Sequence, residues 1–193
     1  MSNISINNAI PENALERQLY FIEKFKEHVA QLKKELNRPL LCCTQTFGCQ
    51  MNARDSEKLL GILEEIGYTP TDSEEADIVV YNTCTVRENA NLRVYGRLGQ
   101  LSKIKEKNPH MVIALCGCMM QQERIAEKIQ KSYPFVDIVF GTHAAHKFPE
   151  LLYRALSTGK RVFDIENSDG VIAEDLPLHR DSTFKAWLPI MYG

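Results

Sequence analysis

From Leu40 to about Ile165, short apolar runs of strand character alternate with segments whose apolar residues recur at helical spacing. Parallel strands cannot be joined by tight turns, so each needs a crossover, and this alternation predicts an open, mostly parallel sheet with helices on both faces. Three of the runs end alike. The segments 40–49, 77–84 and 111–118 each pass through a short turn to a cysteine, Cys49, Cys84 or Cys118, and a helical pattern follows each one. Ligand crevices of such sheets lie outside the carboxyl ends of the strands. A parallel sheet can therefore bring three thiolates together at one edge, a pattern that suggests a metal-cluster site.

The remaining elements follow from period and punctuation. Leu15, Leu19, Ile22, Phe25, Val29, Leu32 and Leu36 form a helical seam that predicts an amphipathic N-terminal helix, an extension over residues 1–38, stopped by Arg38-Pro39. The sheet domain is expected over 39–165. Its helices are predicted over about 52–66, ended by Gly67, from Thr85 to the Asn108-Pro109 stop, around Ile125–Ile129, and from Phe148 to Gly159. Thr85 and Glu88 have capping-box spacing, and Asn52 and Asp55 are candidate caps for the first helix of the sheet domain. A short extended piece is expected near Thr69-Pro70, and strands near 77–82, 111–115, 135–140 and 161–165. Residues 166–193 read as a linker and, from Trp187 on, as the start of a further domain.

A net charge of −2 spread along 193 residues gives no global reason for nucleic-acid or membrane binding. There is neither a charged-then-apolar leader nor an apolar run near the ~20 residues that cross a bilayer, so the expectation is a cytoplasmic protein without membrane contact. In that reducing compartment six cysteines are buried thiols, metal ligands or redox groups rather than a disulfide framework.

Thiolates are soft ligands suited to iron–sulfur clusters and zinc, and three of them leave a fourth position open for chemistry. Spacing alone leaves a shared site and independent burial both open. Cys42 and Cys43, adjacent on a strand, are expected in the core on opposite sheet faces, and Cys116 could belong to either group. A zinc-binding module completed by Cys116, His143 or His146 is one alternative. Another is a flavodoxin-like small-ligand binder, although no glycine-rich phosphate loop follows any strand. A thiol redox protein is disfavoured because C-x-x-C is absent.

Three motifs narrow the choice. Thr46-Phe47-Gly48-Cys49-Gln50-Met51-Asn52 with Asp55-Ser56-Glu57, then Asn82-Thr83-Cys84-Thr85-Val86-Arg87-Glu88, then Gly117-Cys118-Met119-Met120-Gln121, resemble in order and spacing the N-terminal domain of the radical S-adenosylmethionine methylthiotransferases. Phe47 and Gln50-Met51-Asn52 favour the tRNA-modifying branch. The resemblance implies a flavodoxin- or Rossmann-like domain in which Cys49, Cys84 and Cys118 hold an auxiliary [4Fe–4S] cluster. Its open iron presents a sulfur species for transfer to C2 of N6-prenylated adenosine-37 in the tRNA anticodon loop. The family's CxxxCxxC motif occurs nowhere in the sequence. The second [4Fe–4S] cluster and S-adenosylmethionine are therefore expected in a radical domain lying beyond this chain, and the chain alone is not expected to complete the reaction. Met120 departs from the small residue expected there.

Two weaker signals accompany the motifs. Arg87 follows Cys84 closely enough to donate hydrogen bonds to cluster sulfurs, or to form a surface ion pair instead. The helix holding Arg87, Arg93, Arg97, Lys103, Lys105 and Lys107 is the most basic stretch, either a solvated face or a face for tRNA phosphates.

Overall fold

The computed structural model describes residues 10–85, 88–165 and 176–180. Six parallel strands form one sheet in the order β2-β1-β3-β4-β5-β6. These are β1 (Leu41–Phe47), β2 (Thr69–Pro70), β3 (Ile78–Thr83), β4 (Val112–Gly117), β5 (Ile138–Phe140) and β6 (Val162–Asp164). Five helices accompany them: α1 (Ala14–Leu36), α2 (Gln50–Ile66), α3 (Glu88–Lys107), α4 (Glu123–Ser132) and α5 (Phe148–Thr158).

Every residue of β3 and β4 is buried, which is why Ile78-Val79-Val80-Tyr81 and Val112-Ile113-Ala114-Leu115 read as continuous apolar runs rather than as alternation. One sheet face carries Cys42, Val80, Ala114 and Phe140 and packs under α1, α2 and α5. The other carries Cys43, Tyr81, Leu115 and Val139, with Val94, Leu98 and Leu101 of α3 and Ile129 of α4 against it. Cys42 and Cys43 thus divide between the two faces, as adjacent strand residues must.

α1 shares this core. Ile22, Phe25 and Val29 lie in the same apolar cluster as α2 and α5, and the ring of Tyr153 on α5 packs 5.2 Å from Phe21 and 5.9 Å from Phe25. Asn13 caps α1, its side chain accepting from the amides of Leu15 and Glu16, and Asn37 ends it in the left-handed region. A two-pronged ion pair locks its start to α5, Arg17 Nε and Nη2 each donating at 2.7 Å to the Glu150 carboxylate. Gly67 terminates α2 with φ 112°, as its position in the sequence predicts.

The chain leaves β1 through α2 to β2 on one side and then returns to β3 on the other, so the sheet order reverses between β1 and β3. That reversal opens a crevice at the carboxyl ends of the two strands, the favoured ligand position of a doubly wound sheet. Register sharpens the placement: Phe47 pairs with Thr83, and Thr83 with Gly117. The three strands end level.

Observed strands start and stop within three residues of the predicted limits. The turn at Thr142–Lys147 is a 3-10 helix that sequence period does not reveal. Residues 176–180 pack back on α2: Leu176 is buried, His179 donates its amide to the Glu57 carbonyl, and Gly61 leaves the room that Leu178 and His179 occupy. Val86 and Arg87, and the chain from Trp187, lie outside the described residues.

Candidate cluster-binding edge

Level strand ends set the positions of the three cysteines. Cys84 and Cys118 are the residues immediately after the paired Thr83 and Gly117, and Cys49 stands two residues beyond Phe47 as the N-cap of α2. All three loops leave the same sheet edge, with Cys49 and Cys84 on either side of the reversal. Cys84 is buried, Cys118 half-buried and Cys49 exposed. Among the described residues no three His, Cys, Asp or Glu side chains stand close enough to share one metal ion. The strands thus bring the three loops together without closing a ligand cage.

The surroundings of the sulfurs are well defined. The Thr85 amide donates to Cys118 Sγ at 3.2 Å and its hydroxyl lies 3.7 Å from the same sulfur, so the residue after one cysteine supports the next. Amide donors of this kind are what tune thiolate ligands of clusters. Around Cys49 a buried amide network takes over. Asn52 Oδ1 accepts from the Cys49 amide at 3.2 Å and lies 3.3 Å from Cys49 Sγ. Asn52 Nδ2 donates to Asn82 Oδ1 and to the Thr83 carbonyl, while Asn82 Nδ2 donates to the Asn52 carbonyl and Ser56 Oγ. Both amides are oriented by these partners, and α2 is clamped to β3 next to two of the cysteines. Asn52 is not the N-cap expected of it but the third residue of α2, where its side chain closes a capping box on the Cys49 amide. Asp55 is not a cap either; the helix starts two residues earlier than its predicted limit, which puts Asp55 in the second turn.

The other thiols are of a different kind. Burial pushes Cys42 up to about 12 and Cys116 well above the ordinary thiol value, which marks both as core residues rather than ready ligands. His143 and His146 sit on the 3-10 turn after β5, one strand further from the reversal, and burial lowers the imidazole of His146.

Residues 42–141 match the family described as "Uncharacterized protein family UPF0004". The chain belongs to family UPF0004. Among similar proteins, the tRNA-2-methylthio-N(6)-dimethylallyladenosine synthase of Lachnoclostridium phytofermentans is 62% identical over 87% of this chain and 37% of its own length. Those of Acetivibrio thermocellus and Clostridium perfringens are 48% and 53% identical over 97% and 84% of the chain. The resemblance drawn from the three cysteine motifs is thereby shown. The UPF0004 chain spans between 36% and 39% of the length of these relatives.

Two further features of the UPF0004 domain bear on the site. Thr46, Phe47, Arg93, Gly96, Arg97 and Gln100 line an open cleft of about 510 Å³ between the end of β1 and α3, beside the cysteine edge. Within the basic stretch, Lys105 is tied to Asp137 and the Phe135 carbonyl and Arg97 pairs with Glu74 at 3.3 Å, whereas Arg93, Lys103 and Lys107 are exposed.

Burial raises the Asp55 carboxyl from 3.8 to about 6, against the opposing pull of Lys58 and Arg54. A carboxyl whose value is raised on folding favours the folded state while protonated, so stability falls as pH rises from about 4 to 6 and stays reduced above. Asp55→Asn is expected to remove that loss, raising stability at pH 7.5 by up to about 3 kcal/mol while leaving it unchanged at pH 3.5. Urea titrations at the two pH values measure the difference.

Proposed function

We propose that residues 39–165 form the auxiliary [4Fe–4S]-binding, sulfur-donor domain of a tRNA methylthiotransferase, with Cys49, Cys84 and Cys118 as the three cluster ligands. The N-terminal extension, residues 1–38, braces this domain through α1, and residues 166–193 lead to a radical domain supplying the second [4Fe–4S] cluster and the S-adenosylmethionine site. The observation that carries the reading is the level ending of β1, β3 and β4, each followed within two residues by one of these cysteines, on either side of the sheet reversal. The donor set suits the group: three soft sulfurs from three loops and an amide already directed at one of them.

Cys49, Cys84 and Cys118 would hold the cluster, which would supply the sulfur for transfer to C2 of N6-prenylated adenosine-37. The protein's part is positional. The Asn52–Asn82–Ser56 network fixes the loop of Cys49, Thr85 spans from the loop of Cys84 to the sulfur of Cys118, and the N-terminus of α2 favours negative charge beside Cys49. Met119 and Met120, both fully buried, seal the sheet beneath the third loop against water. The enzyme works in the cytoplasm, where tRNA is found; among the described residues no helix is long and apolar enough to cross a membrane. The test is anaerobic reconstitution of the chain with iron and sulfide, followed by metal analysis. A brown protein with broad visible absorption is expected; a colourless protein that takes up stoichiometric zinc and no sulfide contradicts the reading.

The exposed side of α3 faces the anticodon-loop phosphates in this reading, since phosphate contacts need positive charge more than exact geometry. Arg93 is the residue to test, because it borders the cleft beside the cysteines and takes no part in the ion pairs of α3 described above. In a longer protein spanning its relatives' length, Arg93→Glu is expected to weaken tRNA binding by roughly tenfold at low salt and to flatten its salt dependence. Unchanged affinity across a salt series contradicts the placement.

A further inference from the structure

A second cavity lies beside the same strand, away from the cysteine loops. β2 pairs only with Leu41 and Cys42, so β1 runs on for five residues beyond its partner. The space left at that edge, about 410 Å³, is walled by β1, α2, the turn after β2 and His179. Apart from the His179 imidazole, which meets Glu64 Oε2 at 2.6 Å, its polar lining is one-sided: the carboxylates of Glu57 and Asp72 and the hydroxyls of Thr44, Thr46, Ser56 and Thr71 are present, and no lysine or arginine is.

Two atoms there are buried and have no hydrogen-bond partner, Oε2 of Glu57 and Oγ1 of Thr44. Glu57 is only 6% exposed. A buried carboxylate oxygen without a partner is a costly arrangement, and such groups in native proteins call for an explanation, a bound cation among them. The cavity is far larger than the ~30 Å³ share of one water molecule. Among the described residues no acidic cluster is close enough for a metal ion. The required guest carries positive charge together with several N–H donors.

The geometry points to a binding site for a primary alkylammonium group, held by the Glu57 carboxylate with Thr44 Oγ1 and Asp72 as further acceptors. An ammonium has three donors and no acceptor, which matches a lining rich in acceptors, and its alkyl stem has Leu60 and Pro70 to lie against. Anionic ligands are excluded by the two carboxylates. The site also communicates with the cysteine edge: Thr46 Oγ1 bonds Ser56 Oγ at 2.8 Å, and Ser56 receives Asn82 Nδ2 at 3.1 Å, the same Asn82 that meets Asn52 beside Cys49. The ammonium is either that of a free amine or the tip of a lysine from the rest of a longer protein.

The probe is ethylammonium chloride, with tetramethylammonium chloride as a cation of equal charge and no N–H. Amide NMR spectra of the 193-residue chain are followed through each titration. Saturable shifts at the amides of Thr44 and Glu57 with ethylammonium alone are expected, and Glu57→Gln is expected to weaken binding by about tenfold or more, the loss of one charge-assisted hydrogen bond. Thr44→Val, which leaves the carboxylate in place, is expected to weaken it by a smaller factor. Equal responses to the two cations, no saturable shift, or undiminished binding by a folded Glu57→Gln chain overturns the proposal. Binding retained in the longer protein assigns the site to a free amine; binding to the short chain alone assigns it to an internal lysine.

Discussion

In a longer protein that spans the length of its relatives, replacing Cys49, Cys84 or Cys118 by alanine is expected to lower methylthio transfer to tRNA by at least about a hundredfold. Loss of supporting contacts around metal ligands already costs about 10–100-fold, and loss of a ligand costs more. S-adenosylmethionine cleavage, carried by the separate radical domain of the proposal, is expected to continue in all three variants. That split distinguishes a sulfur-donor site from general damage. Cys42→Ala and Cys43→Ala supply the contrast. Their thiols pack in the two apolar clusters on opposite faces of β1, so these changes are expected to cost about 1 kcal/mol of stability and to leave transfer intact. Product nucleosides from each variant, measured with the amount of cleaved S-adenosylmethionine, decide the matter. Equal transfer by a Cys118→Ala enzyme refutes the assignment.

The largest expected effect on stability lies next to the third cysteine. Gly117 ends β4 with φ 96°, a conformation that L side chains rarely adopt. A Cβ there would overlap the Thr83 carbonyl oxygen and come within 2.6 Å of Asn82 Oδ1 and 2.8 Å of the Thr83 nitrogen. None of these atoms can yield. Asn82 and Thr83 are completely buried, Asn82 is held by Asn52 and Ser56, and Thr83 Oγ1 donates to the Cys116 carbonyl at 2.6 Å. Strained backbone and overpacking each cost about 1–3 kcal/mol. Gly117→Ala is therefore expected to destabilise the fold by about 3–5 kcal/mol and to disturb the β3–β4 ends from which Cys84 and Cys118 depart. Urea unfolding of the variant checks the value; a loss below about 1 kcal/mol contradicts the account of this turn.

Most of the architecture was legible because the signals were local. The apolar runs of β3 and β4, Gly67 after α2 and the heptad-like seam of α1 each state their structure in a few residues. The edge from which the three cysteine loops leave was legible for a further reason: three strand-turn-cysteine-helix units at similar spacing admit few arrangements in a right-handed parallel sheet. What sequence did not reveal depends on distant partners. Asn82 reads as a strand residue until Asn52 and Ser56 come within reach from α2, and Asp55 reads as a cap until the helix is seen to begin at Gln50. The cavity at Glu57 arises from a strand that stops after two residues and a return of the chain at His179, neither of which has a periodic signature.

The most direct test of the central claim is the iron and acid-labile sulfide bound per chain after anaerobic reconstitution, measured for the parent and for Cys49→Ala, Cys84→Ala and Cys118→Ala. About four irons and four sulfides are expected in the parent, the composition of a [4Fe–4S] cluster, with a large loss in each variant. Variants that load as much cluster as the parent contradict the claim that these three sulfurs hold it.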